Sequence, residues 1–349
     1  MSARFTFLKH QALSLLAGLA GAGVCLLLKT PLPWMIGPLL ATSIAGMSGV
    51  PMVAAPMLRN AGQWAIGTAL GLYFTPQVVG FVAGHWAVIL AGIAWALALG
   101  AAYGWWLQVS NRGLPGLDRP TAFFASAIGG ASEMTVLAER HGGRVDLIVS
   151  AHSLRILLVV LLVPFGFQWV GLHGLDPSAP GPQLVRPAGL LVLSAACLGG
   201  ALLMRHFSLS NPWVLGPLTV GMLLTANGIE LSALPSWITN LGQLFIGVAL
   251  GTRFTRGFMH TAPRWLVTAG IGTLGMIALS AAYAWVVAQL TGLHPATVMI
   301  GTAPGGLAEM CLTAKALQLG VPVVTAFHVT RMVAVVVLAG PLFRLGRPT

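Results

Sequence analysis

The chain has 349 residues, of which 56% are hydrophobic and only 7% charged, with a mean hydropathy of +0.86. A soluble domain carries about 25% charged residues to face water, so this composition excludes a water-clad globule and requires lipid over most of the surface. The net charge of +11 does not gather on one face; the bases sit singly or in pairs at the ends of apolar runs, which fits a membrane protein and not a nucleic-acid binder.

In chain order, Arg4 and Lys9 precede an apolar run over 12–28, a signal-peptide pattern. A matching run at 184–204 makes this first helix part of a repeated unit that is expected to be retained. Further apolar stretches follow at 33–49, 57–74, 85–108, 121–138 and 147–170, and again at 212–227, 237–254, 265–290, 296–316 and 321–343. A span needs about 20 residues, so several of these are short. The fifth of each set is also interrupted by Gly-Gly and carries a Glu, which predicts a re-entrant or broken segment buried in protein. The linker HGLDPSAPGPQ, at 173–183, separates repeat 1 (1–172) from repeat 2 (184–349).

The repeats share their motifs in order. PWMIGPL at 33–39 returns as PWVLGPL at 212–218, and GQWAIGTALGLYFT at 62–75 as GQLFIGVALGTRFT at 242–255. AAYGW at 101–105 returns as AAYAW at 281–285, and GGASEM at 129–134 as GGLAEM at 305–310. His152-x-x-Arg155 returns as His328-x-x-Arg331. The offsets lie between 176 and 180 throughout, so the chain is a duplication.

Loop charge alternates between the halves. Arg59, Arg112 and Arg119 have no basic counterparts in the second half, while Arg253, Arg256 and Arg264 have none in the first. The halves are therefore expected to have opposite orientation. Five crossings each, with the fifth stretch not crossing, place 13 loop bases inside and 3 outside. The expected fold is an all-α membrane protein of two inverted repeats, about ten transmembrane helices and two re-entrant or broken segments.

The candidate binding groups are Glu133 and Glu309, each after a glycine pair (Gly129 and Gly130; Gly305 and Gly306). An intramembrane carboxylate is costly and points to function, to a structural pair with Arg, or to both. His152 and His328 each lie 19 residues after their Glu, and Arg155 and Arg331 follow three later, on the same helix face. Both arginines are too deep to be end anchors and call for a carboxylate or an anionic ligand. PWxxGPL reads as a kinked packing helix or a gate, and GxxxG at Gly67/Gly71 and Gly247/Gly251 as close helix packing. Cys25, Cys197 and Cys311 have no paired spacing and read as packing residues. No metal, ATP, dinucleotide or Ser-His-Asp motif is present, so no cofactor, no metal and no enzymatic activity are expected.

With these blocks in view, the chain resembles the AbrB family of duplicated bacterial membrane proteins. The resemblance rests on PWxxGPL, GQxxxGxxLGxxFT, GGxxEM and HxxR, each present twice. It implies the labels that members carry, ammonia monooxygenase and regulator of gene expression. The residues themselves favour a secondary transporter of a small solute, with an anion as one form, working by alternating access in the bacterial inner membrane with both termini cytoplasmic. A membrane regulator or sensor is the first alternative and a membrane oxidoreductase the second. The expected partners are the bilayer and a small solute or ion, not nucleic acid; association with a second copy of the chain is left open.

Overall fold

The computed structural model describes residues 2–114, 117–172, 174, 184–260 and 262–345, so the proposed linker over 173–183 lies almost wholly outside the described residues. The first half supplies α1 (Ser2–Leu27), α2 (Pro33–Met47), α3 (Pro56–Gly71), α4 (Pro76–Gly84), α5 (Trp86–Ser110), α6 (Arg119–Ser126), α7 (Ala131–Arg140) and α8 (Val145–Val170). The second supplies α9 (Pro187–His206), α10 (Pro212–Ala226), α11 (Ser236–Gly251), α12 (Arg256–His260), α13 (Pro263–Thr291), α14 (Pro295–Thr302), α15 (Leu307–Ala316) and α16 (Val321–Leu345). Six of them (α1, α5, α8, α9, α13 and α16) are long and apolar enough to cross a bilayer, and α3 with α4, bent by 88°, makes up to seven. Their outer faces carry exposed Leu16, Leu27, Trp86, Leu191 and Val267, a surface that lipid covers without penalty. The protein is thus an all-helical, multi-pass membrane-type chain.

The compact units are not the repeats. One unit comprises Met1–Ala83, Leu175–Phe258 and Lys315–Pro322; the other comprises Gly84–Gly174, Met259–Ala314 and Val323–Thr349. Each draws equivalent helices from both halves.

In the first unit, packing runs α1 on α2, α2 on α11, α11 on α3, α3 on α10 and α10 on α9. Exchanging the halves turns this order into its own reverse. The motifs explain it. Proline at the first turn suits a helix start, where the missing N–H is not needed, and both PWxxGPL helices begin after a left-handed residue, Leu32 (φ 48°) or Asn211 (φ 49°). Each then lies in the GxxxG groove of the other half. A methyl group on Gly71 would sit 2.7 Å from the Leu218 carbonyl oxygen, and one on Gly251 2.7 Å from that of Leu39. Gly67 and Gly247 meet Val214 and Met35 in the same way. PWxxGPL and GxxxG are therefore two sides of one lock, and the backbone contact they permit is the packing device of membrane helices. The equivalent helices α3 and α11 cross at Gly62 and Gly242: Gly62 faces Phe245 and Ile246, while Gly242 faces Ala65 and Ile66.

In the second unit α5 packs on α6 and α13, α13 on α8 and α14, and α8 on α6 and α7. Asn111 donates to Thr268 Oγ1 (2.8 Å) and Trp106 Nε1 to the Thr268 carbonyl (2.9 Å), tying α5 to α13. Trp265 Nε1 donates to the Leu147 carbonyl (3.0 Å), tying α13 to α8. Each fifth stretch is a broken helix: α6 ends at Ser126 and α7 begins at Ala131, as α14 ends at Thr302 and α15 begins at Leu307. Pro120 and Pro295 open the first members, capped by Asp118, which accepts from Thr121 N (2.8 Å), and by His294 Nδ1, which accepts from Ala296 N (3.3 Å).

Candidate functional site: two helix breaks and their arginines

A helix end leaves its last carbonyls without intrahelical donors, and in an apolar interior each costs free energy until it is paired. The His-x-x-Arg pairs meet this need. His152 Nε2 lies 3.0 Å from the Phe124 carbonyl and Arg155 Nη2 donates to the Ala127 carbonyl (3.2 Å), both at the end of α6. In the second half His328 Nε2 lies 2.9 Å from the Ile300 carbonyl, and Arg331 donates to Ala303 (2.7 Å) and Gly305 (2.7 Å), at the end of α14. The Arg–His link repeats as well, Nη2 to Nδ1 at 2.8 Å in both. Helical spacing of three puts imidazole and guanidinium side by side, so one face of α8 or α16 caps one broken helix. The expected carboxylate or ligand partner of each arginine is, in this structure, chiefly backbone carbonyl.

Each Glu is the third residue of the next half-helix. From there a carboxylate can fold back over the residue before the helix, as in a capping box. The Glu133 carboxylate lies where a side chain on Gly130 would begin, and Glu309 does the same to Gly306. A side chain on either glycine would displace the carboxylate. The second glycine of each GGxxE thus leaves room for the Glu to fold back. Gly129 and Gly305 serve a different contact: a methyl group on Gly129 would lie 2.9 Å from a Val335 methyl, and one on Gly305 3.0 Å from a Val159 methyl. Val159 is one turn beyond Arg155, and Val335 one turn beyond Arg331. Each break is therefore capped by its own half's arginine and touched by the other half's helix, which brings both sets together.

His152, Arg155, His328 and Arg331 are all buried (0, 3, 1 and 6% exposed). Arg155 Nε and Nη1 and Arg331 Nε have no hydrogen-bond partner. Buried guanidinium donors left bare are costly, and a small anion or water at the breaks would relieve them. Tyr103 (of AAYGW), absent from the sequence-based candidates, lies within electrostatic reach of Arg155 and donates to the Ala269 carbonyl at 3.2 Å. The AAYxW repeat was its only signal. The three cysteines are buried and free; Cys311 lies 3.3 Å from Thr325 Oγ1. Among the described residues no three His, Cys, Asp or Glu side chains gather as a metal site would require.

The family model described as "Transition state regulatory protein AbrB" matches residues 34–347. The chain belongs to the AbrB family. It is 24% identical to the uncharacterized protein YhjN of Bacillus subtilis (strain 168), over 93% of this chain and 90% of that protein. It is 25% identical to a protein of Escherichia coli (strain K12) named as a candidate regulator, AbrB, over 89% and 88%. The family match thus spans both breaks and both PWxxGPL–GxxxG locks of this AbrB-family chain.

Proposed function

We propose that this AbrB-family protein is a secondary transporter of a small anionic solute, bound where the two helix breaks meet. The observation that carries the reading is the pair of buried arginines, Arg155 and Arg331, each capping a broken helix and each with guanidinium N–H groups unpaired. Helix breaks buried in a membrane protein expose backbone donors and acceptors to a solute. Half-helix N-termini favour negative charge, which at α7 and α15 is met by Glu133 and Glu309, so the arginines carry the case for an anionic solute.

Inverted repeats would support alternating access. At the α3–α11 crossing Gly62 meets Gly242 and Ile246, and Gly242 meets Gly62 and Ile66, contacts that fit antiparallel equivalent helices and so support this reading. On this reading α2, α3, α10 and α11 also cross. With 15 or 16 residues each they span about 23 Å at 1.5 Å per residue, against about 30 Å of hydrocarbon, a mismatch that local thinning absorbs. With α1, α5, α8, α9, α13 and α16 the count becomes ten, with cytoplasmic termini in the inner membrane from the distribution of loop bases. No enzymatic step is assigned to the chain. A regulatory role draws on the description of the family model and the name of the E. coli relative, and on no residue of the site.

The test is uptake of radiolabelled acetate, succinate and phosphate into right-side-out vesicles from cells with and without the protein. At least one anion should show saturable uptake that depends on the protein and falls at least tenfold in Arg155→Gln at equal membrane expression. Protein-independent uptake of all three contradicts the anion reading.

A further inference from the structure

The two breaks share a backbone design but not a surface. Along α7, Ser132, Val136, Glu139 and Arg140 are exposed and Glu133 and Thr135 partly so, an open face that is polar at the break and at the Arg140 end, with Val136 between. Exposed Glu and Arg on a helix of a membrane protein face water, since lipid would exact several kcal/mol for each. The equivalent face of α15 reads Ala308, Cys311, Lys315; Ala308 and Cys311 are buried, as are Glu309, Met310, Leu312, Thr313 and Ala314. Nor are the arginines equal. Arg331 spends two nitrogens on two carbonyls and His328, leaving Nε. Arg155, 3% exposed, serves one carbonyl and His152 through Nη2 alone, leaving both Nε and Nη1 bare beside the break that precedes α7.

From these differences, and resting on the transport reading above, we propose that the repeats have divided their labour. The first-half break, with the exposed Ser132 and the bare Nε and Nη1 of Arg155, is the anion's seat, reached by water at Ser132, while the Glu133 carboxylate holds the start of α7. The second-half break, with Arg331 and His328, is a closed scaffold that fixes α14 and α16. The asymmetry is written in residue type (Ser132 against Ala308, Thr135 against Cys311), so a conformational exchange between the halves does not reverse it. The guanidinium donors select a carboxylate or phosphate oxygen.

Thiol labelling tests this. Cys25, Cys197 and Cys311 are buried, so the wild-type chain serves as its own background for the membrane-impermeant reagent 2-sulfonatoethyl methanethiosulfonate. In detergent-purified protein Ser132→Cys should label at least tenfold faster than Ala308→Cys, read by intact mass. Acetate, succinate or phosphate, against chloride at matched ionic strength, should slow labelling at Ser132→Cys. That protection should vanish when Arg155→Gln is added and return in part with Arg155→Lys. Equal labelling of the two positions, or anion protection at Ala308→Cys, overturns the division of labour and leaves the transport reading standing. Rapid labelling at Ser132→Cys that none of the three anions slows overturns the anion seat itself, and the transport reading with it.

Discussion

Glycine 130 and Glu133 are one device, and so are Gly306 and Glu309. Alanine at either glycine would place its methyl group on the carboxylate, so the Glu must leave its place over the helix start. The expected cost is that of a lost helix cap, roughly 0.5–2 kcal/mol, read as a lower melting temperature in detergent. Adding Glu133→Ala to Gly130→Ala should recover part of that loss; no recovery would disprove the contact as the cause. Gln also completes a capping box, so Glu133→Gln and Glu309→Gln should insert and fold, with melting temperatures close to that of the parent protein. The arginines differ in what they hold. Removing Arg331 orphans two carbonyls, and removing Arg155 orphans one, each worth about 1–3 kcal/mol when buried. Arg331→Gln should therefore melt lower than Arg155→Gln, and the reverse order contradicts the capping roles. The sequence made these side chains visible, because an isolated Glu or Arg in an apolar run stands out. Their partners were invisible, because a backbone carbonyl at a helix end leaves no letter in the sequence.

At the scale of elements, recurring motifs proved to be complementary surfaces. PWxxGPL and GxxxG each read alone as a packing or gating helix; that one half's motif fills the other half's groove depends on three-dimensional proximity, which spacing does not encode. Substituting Leu for Gly247 or Gly67 should separate α11 from α2, or α3 from α10, because the Met35 and Val214 carbonyls occupy the space. At either site the loss should be at least the 1–3 kcal/mol of an overpacked core, seen as aggregation or a lowered melting temperature, and comparable at the two positions because the contacts are equivalent. A tolerated Leu at one and not the other would break that equivalence. The broken helix was legible from Gly-Gly and Glu within an apolar stretch. Its length was not: the reading over 121–138 resolves into two short helices whose first member is bounded by Asp118 and Pro120. The 88° bend between α3 and α4 went unread, although Thr75-Pro76 marks it, since the residue before proline is pushed out of the helical region.

At the scale of the whole molecule, the duplication explains why the compact units cut across the repeats. Each half contributes three longer helices and a short one to one unit, and a long helix, a broken helix and a second long helix to the other, so both units draw on both halves. The backbone carries the same signature. Left-handed residues recur at Lys29 and Ser208, Leu32 and Asn211, Gly49 and Gly228, and Gly113 and Gly292, at the spacing of the sequence motifs. Opposed orientation of the halves is the central claim, because alternating access and the meeting of the two breaks both follow from it. Asn111 would be the natural reporter at the end of α5, but it is fully buried and bonded to Leu107 and Thr268; the adjacent Arg112 is exposed, as is Gly257 in the short helix α12. The decisive measurement is labelling of Arg112→Cys and Gly257→Cys in intact cells by a membrane-impermeant maleimide, before and after permeabilisation. Opposed repeats predict that both positions stay protected until the membrane is opened. Labelling of one in intact cells and protection of the other would place them on opposite sides and contradict the inverted architecture.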